Sequence, residues 1–263
     1  MHEVTQRPYD ARGAWREWLL CGASLALLVG AMAVDPIVQD PAYHYFADRR
    51  AALGIPNFLN VASNLGFLLA GAAGLALCIR REGQGATFSW SVLFLGAMLV
   101  AAGSGYYHWA PDNASLVWDR LPMTIGFMGL FVALLSEHIH PKLERYMLLP
   151  ALLVGAASVA WWHHADDLRF YAWVQFMPLV TISLLVALYP GRYTHRRYLV
   201  YGLVCYLAAK VAEALDPQIY AASGELLSGH TLKHLLAALA LYYVYVMLRR
   251  RMPVSAQMSA PAR

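Results

Sequence analysis

Residues 88–108, FSWSVLFLGAMLVAAGSGYYH, run for 21 positions without Lys, Arg, Asp or Glu and close on a histidine. A hydrocarbon core about 30 Å thick is crossed by about 20 apolar residues in a helix, so this stretch predicts a transmembrane helix. It lacks the two-residue alternation of a membrane barrel strand. Measured outward from it, further apolar runs fall near 17–34, 58–79, 121–138, 146–162, 171–189, 198–215 and 230–248. The fold class that follows is all-α: a polytopic integral membrane bundle of eight transmembrane helices.

Composition excludes the alternatives. The 263 residues are 59% hydrophobic and 14% charged, against about 25% charged in ordinary soluble domains, which rules out a water-soluble enzyme. High hydrophobicity with a net charge of only +4 also rules out a disordered chain. Cys21, Cys78 and Cys205 each sit inside an apolar run, leaving neither a disulfide framework nor a cysteine-based zinc site. The basic residues punctuate the apolar runs and form no stripe for nucleic acid.

Those basic residues set an orientation. Counted in alternate loops, fourteen fall on one side (Arg7, Arg12, Arg16, Arg80, Arg81, Lys142, Arg145, Arg192, Arg196, Arg197, Arg249, Arg250, Arg251, Arg263). Four fall on the other, Arg49, Arg50, Arg120 and Arg169, while Lys210 and Lys233 lie within spans. The expectation is an even number of spans, both termini cytoplasmic, in a cell membrane of the bacterial inner-membrane type. Residues 1–16 are expected as a cytoplasmic N-terminus, 17–34 as a retained signal-anchor span and 249–263 as a disordered cytoplasmic tail.

An ionisable group at membrane depth costs at least ~2.5 kcal/mol, so such groups mark function. They concentrate at the end of span three (GSGYYHWAP), the start of span four (LVWDRLPMT) and the start of span eight (SGHTLKHLLAALA), all on the non-cytoplasmic face. His230 and His234 are four apart, on one helix face, a spacing that suits two ligands of one small ion. His108 is the natural third ligand, since catalytic zinc takes three protein ligands at about 2.0–2.1 Å and keeps one position open. Ser104 shares a helix face with His108, and Asp119 follows across a short loop containing Pro111. Haem fits poorly, because its axial ligands approach from opposite faces. Taken alone, an H-x3-H pair also arises by chance, and Asp119 as a fourth ligand would close the site into a structural one.

The string GSGYYHWAPDNASLVWDRLPMT (103–124), with SGHTLKHLLAA (228–238), resembles the alkaline ceramidase family. That family belongs to a membrane hydrolase superfamily with adiponectin-receptor-like and GPI-lipid remodelling proteins. The spacings Ser104-x3-His108-x10-Asp119 and His230-x3-His234 match its pattern, and NFLNVASNLGFLLAG (57–71) resembles the start of its first core helix. The resemblance implies a seven-helix core over 35–248, preceded by one extra span. It also implies zinc on His108, His230 and His234, with Ser104 and Asp119 as catalytic residues. Asp119 would move the proton of the attacking water and Ser104 would steady the oxyanion. The implied substrate is a ceramide-like membrane lipid, cleaved at its N-acyl amide.

Two departures stand out: the extra span, and the segment VDPIVQDPAYHYFADRRAALGIPNF (34–58), where the family carries an acidic calcium-binding stretch. Asn57 stands there in place of a glutamate, leaving Asp35, Asp40 and Asp48 as candidate calcium ligands with Asn57. Two other functions compete: a phospholipid or lipid-anchor ester hydrolase, and a receptor-like protein with structural zinc. Of the remaining polar residues, Lys210 and Glu213 are expected to pair and Lys233 to point away from His234's face, while Asp216, at the outer end of its span, reads as structural with acceptance from a histidine N–H as the alternative. His44, His138, His140, His163, His164 and His195 read as interfacial or solvated. Tyr106, Tyr107, Trp109, Trp118, Trp161 and Trp162 read as an aromatic belt.

Overall fold

A computed structural model describes residues 14–81 and 85–254. Every apolar run is a helix: α1 (Ala14–Met32), α2 (Phe58–Ala62) with α3 (Leu65–Arg80), α4 (Thr87–Trp109), α5 (Asn113–His138), α6 (Lys142–Ala165), α7 (Arg169–Leu188), α8 (Arg197–Ala214) and α10 (Gly229–Arg250). A short α9 (Asp216–Ala222) follows α8 at an 85° bend. Seven spans are long and apolar enough to cross a membrane, counting α2 and α3 as one, and the count reaches eight when the bent α8–α9 pair is taken as a single span. The chain is a multi-pass, all-helical membrane bundle with no strand among the described residues.

The unusual span is α8, which carries Arg197, Lys210 and Glu213. It nevertheless crosses the bundle beside α10. Tyr198 accepts from Arg250 at one end (3.0 Å) and Glu213 accepts from Lys233 at the other (3.0 Å). Positions 233 and 250 are about 25 Å apart along a helix, nearly the hydrocarbon thickness.

α5 begins eight residues before its apolar run. The Asp112 carboxylate accepts from the Ser115 N–H while the Ser115 hydroxyl accepts from the Asp112 N–H, a reciprocal cap. Asp119 therefore stands two turns inside the helix. α4 packs between α3 and α5, α10 packs on α8 and α3, and α6 lies against α5. The N-terminal helix stands apart: α1 packs on α7, where Trp173 donates to the Ser24 carbonyl (3.0 Å), and only Leu20 is buried.

The two ends of the bundle differ. At one end the buried Glu137 carboxylate takes the Arg251 guanidinium (2.6 Å) and the Trp90 indole N–H (2.8 Å), tying α4, α5 and the end of α10 together. Residues after α10 are also tied in, through Thr194 N–H to the Met252 carbonyl and Val254 N–H to the Arg192 carbonyl (3.0 Å each). That replaces, for 251–254, the free tail expected from residue 249. The expectations for 1–13 and 255–263, including Arg7, Arg12 and Arg263, lie outside the described residues. At the other end the segment 33–57 crosses the bundle and leads into α2.

Candidate metal centre

The three histidines meet at that second end. His108 comes from the last turn of α4, His230 and His234 from the first turns of α10, and all three are at most 4% exposed. Their nearest ring nitrogens lie within 4.8 Å of one another, the one such group of three or more His, Cys, Asp or Glu among the described residues. His108 Nε2 is 3.3 Å from His234 Nε2 and 3.3 Å from His230 Nε2. A tetrahedron with arms of 2.0–2.1 Å has edges of about 3.3–3.4 Å, so these two separations match two edges of a zinc site. A neutral imidazole carries one N–H, so His108 Nε2 cannot donate to both neighbours, and its Nδ1 is buried without a partner.

Neighbouring groups aim the rings. Ser63 Oγ is 2.8 Å from His234 Nδ1 and also bonds the Asn60 carbonyl, leaving His234 Nε2 for an ion. Thr231 Oγ donates to Asn60 Oδ1 (2.8 Å), fastening α10 to α2. Asp216 bonds the backbone N–H of His230 at 2.7 Å and that of Ala47 at 2.9 Å, so it holds the histidine's main chain, not its ring. Two glycines permit the approach. A Cβ at Gly229 would strike the Ala212 carbonyl, and one at Gly103 would strike the Trp118 carbonyl beside Asp119.

The segment 33–57 roofs the cluster. Phe46 packs its ring 4.7 Å from the His108 ring and 4.7 Å from the His230 ring, centroid to centroid. Asn57, left-handed at φ 47°, donates to the His108 carbonyl (2.9 Å). Thus Asn57 serves the histidine site. The calcium candidates are not brought together: Asp48 grips Arg50 (2.7 Å), Asp40 caps the turn at Pro41–His44, and Asp35 is exposed. The hydrogen bonds from Arg50 hold the Asp48 carboxyl below the usual carboxylate range.

Ser104 and Asp119, both buried, stand against each other beneath the histidines. With His234 they head a cavity of about 300 Å3 that continues between α4, α5, α7, α8 and α10 as far as Val244. From His234 to Val244 is ten residues, about 15 Å of helix. Its lower walls are apolar, with Leu179, Ile182, Leu199 and Leu241 among them. Such a volume lies at the small end of ligand sites.

Several readings change. Lys233 pairs with Glu213 but turns toward the centre, its Nζ 2.9 Å from His230 Nε2, because residues three apart share a helix side. Tyr107 and Trp162 leave the aromatic belt: they are 1% and 2% exposed, with Tyr107 bonded to His44 (3.0 Å) and Trp162 under Arg120. Tyr106, Trp109, Trp118 and Trp161 remain exposed. Ser63, Asn60 and Phe46 emerge as site residues that spacing arguments passed over.

If Ser63 orients His234, Ser63→Ala is expected to weaken zinc binding about 10–100-fold while the chain stays folded. A zinc titration against a competing chelator measures it, and unchanged affinity would show that His234 needs no such support.

The fold and site define a multi-pass membrane protein with a buried three-histidine cluster at the head of an apolar cavity. The family model described as Ceramidase matches residues 52–259, about four fifths of the sequence, and the chain belongs to that family. It is thereby a hydrolase of lipid metabolism, of a family acting on amide bonds. The match begins after α1, which lies outside it. A comparison with curated proteins finds no match.

Proposed function

We propose that the chain is a zinc-dependent intramembrane amidase that cleaves the N-acyl amide of ceramide-like sphingolipids to a sphingoid base and a fatty acid. The observation that carries this is the placing of His230 Nε2 and His234 Nε2 each 3.3 Å from His108 Nε2, a tetrahedral-edge distance, beside Ser104 and Asp119 at the head of an apolar cavity. His108, His230 and His234 would hold the ion, and zinc bound there supplies Lewis acidity that brings water's ionisation down toward pH 7.

This chain's own groups do the rest. The Asp119 carboxylate takes the proton of the attacking water and returns it to the leaving amine nitrogen. The Ser104 hydroxyl donates a hydrogen bond to the oxygen that gains charge as the carbonyl is attacked. The apolar walls keep bulk water from the acyl chain, and Phe46 closes the histidines from the aqueous side. Incubation with a ceramide labelled in its acyl chain, alongside its ester analogue, tests the reading. Release of labelled fatty acid from the amide is expected. Release from the ester alone would assign the chain to ester hydrolysis, and release from neither would leave a receptor-like role.

The same proposal has the site face the non-cytoplasmic side, with both termini cytoplasmic and α1 a span added ahead of the core 35–248. The clustering of Arg81, Arg192, Arg249, Arg250 and Arg251 at the end away from the histidines supports this orientation. A reporter that works only after export, fused behind Arg263, is expected to stay silent. Its activity would invert the topology.

A further inference from the structure

The charge in the cavity stays at its head, where Glu213 is shared by Lys210 and Lys233 (3.0 Å) and Asp119 stands against Ser104. Below that level Val100, Phe127 and Leu241 are among the walls. A polar pair between α7 and α8, Gln175 and Tyr206, is bonded to itself (2.7 Å).

Three helices give the same depth. Ser104 to Leu93 on α4 and Asp119 to Leu130 on α5 are eleven residues each, and His234 to Val244 on α10 is ten, with all six residues lining the cavity. At 1.5 Å per residue the depth is about 15–17 Å. Spread over that depth, a volume of about 300 Å3 gives a mean cross-section of about 20 Å2. A hydrocarbon chain packed at contact distances of about 4 Å fills about 16 Å2, so one chain fits and a second does not.

The lower end is blind. Leu93, Ile182, Leu199 and Val244, from four different helices, line the cavity and also belong to a buried cluster with Trp90, Leu185 and Met247. None of the four is more than 7% exposed. Trp90 in that cluster is pinned through its indole N–H to Glu137, which Arg251 holds in turn. A close-packed floor backed by that tie does not yield to extra methylenes without overpacking. A saturated chain of 1.5 Å bonds at about 111° advances about 1.25 Å per bond, so the cavity holds about twelve to fourteen carbons.

We propose that Leu93, Ile182, Leu199 and Val244 form a floor that limits acyl-chain length, so that the lipid amides this chain cleaves best carry medium-length acyl groups. The limit rests on the reading of the chain as a lipid amidase and deepens it by naming the class of acyl chain. The acyl chain is the one that enters, because it runs from the attacked carbonyl without a polar group. A sphingoid base carries hydroxyls beside the amide nitrogen, which apolar walls would strip of their hydrogen bonds.

The test is a series of neutral ceramides on one sphingoid base, with acyl chains of eight, twelve, eighteen and twenty-four carbons, given to the zinc-loaded full chain in neutral detergent. The acyl chain passes from one apolar phase to another, so kcat/KM should stay level up to twelve carbons. By eighteen it should fall at least about tenfold, the order of an overpacking cost. Val244→Ala and Leu199→Ala, each checked for zinc content, should move the fall to longer chains, and Val244→Phe should move it to shorter ones. Should a floor variant fail to fold, the wild-type series still decides.

A level profile from twelve to twenty-four carbons overturns the limit and keeps the amidase. A fall that follows the length of the sphingoid chain in a second series overturns it too, as does a fall that no folded floor variant moves. Affinities of the same ceramides for chelator-treated protein are measured in parallel. A break in affinity at the same length, with no member of the series hydrolysed by the zinc-loaded protein, removes the amidase reading and leaves the length limit standing.

Discussion

With His230 and His234 both replaced by alanine, bound zinc is expected to fall from about one ion per chain to background, and amide hydrolysis to the level of a protein-free control. Only His108 would then remain of the cluster, and among the described residues no other His, Cys, Asp or Glu completes a three-ligand group there. A single imidazole does not hold zinc against solvent, for which three or four ligands are the rule. The bundle itself should survive, because α10 packs on both α8 and α3. Metal analysis of purified protein checks the expectation. Full zinc in the double variant would mean that the ion is held elsewhere.

Asp119→Asn should behave differently. The amide is nearly isosteric, stays buried beside Ser104, and removes no histidine, so zinc is expected to remain near one per chain. It cannot take a proton from water, and activity should drop about 10²–10⁴-fold, the usual worth of general acid–base catalysis. Ser104→Ala should also keep the metal and lose about 10²–10³-fold, as for the loss of one oxyanion donor. Metal content and turnover read on the same preparations separate the roles. If Asp119→Asn sheds zinc as His230→Ala/His234→Ala does, Asp119 is a fourth ligand, the site is closed, and a structural metal becomes the better account.

Much of this was legible because membrane helices obey a length rule. The eight apolar runs each became a helix, most with ends moved by only a few residues. Larger error came where local chemistry overrides hydropathy: the cap between Asp112 and Ser115 starts α5 early and carries Asp119 from a loop edge into the helix. A D-x-x-S pattern before an apolar run carries that signal.

The metal cluster was legible from spacing, since His230 and His234 share a face and His108 closes span three. The groups that aim it were harder to see. Asn60, Ser63 and Asn64 sit at helical spacing in NFLNVASN, a buried polar face that reads as such only once α10 is known to lie against it. Phe46 and Gln39 act from a segment with no periodicity, and nothing short of the fold brings Phe46 over the histidines or Gln39 to Arg120. Lys233 was legible in principle, because three residues separate it from His230 on the helix.

The most direct measurement is the return of activity with metal. Protein stripped by chelator and dialysed is titrated with zinc while release of labelled fatty acid from ceramide is followed. The account predicts no hydrolysis in the stripped protein and a linear rise that breaks at about one zinc per chain, with no recovery in the His230→Ala/His234→Ala double variant. Full hydrolysis by the stripped protein would contradict it.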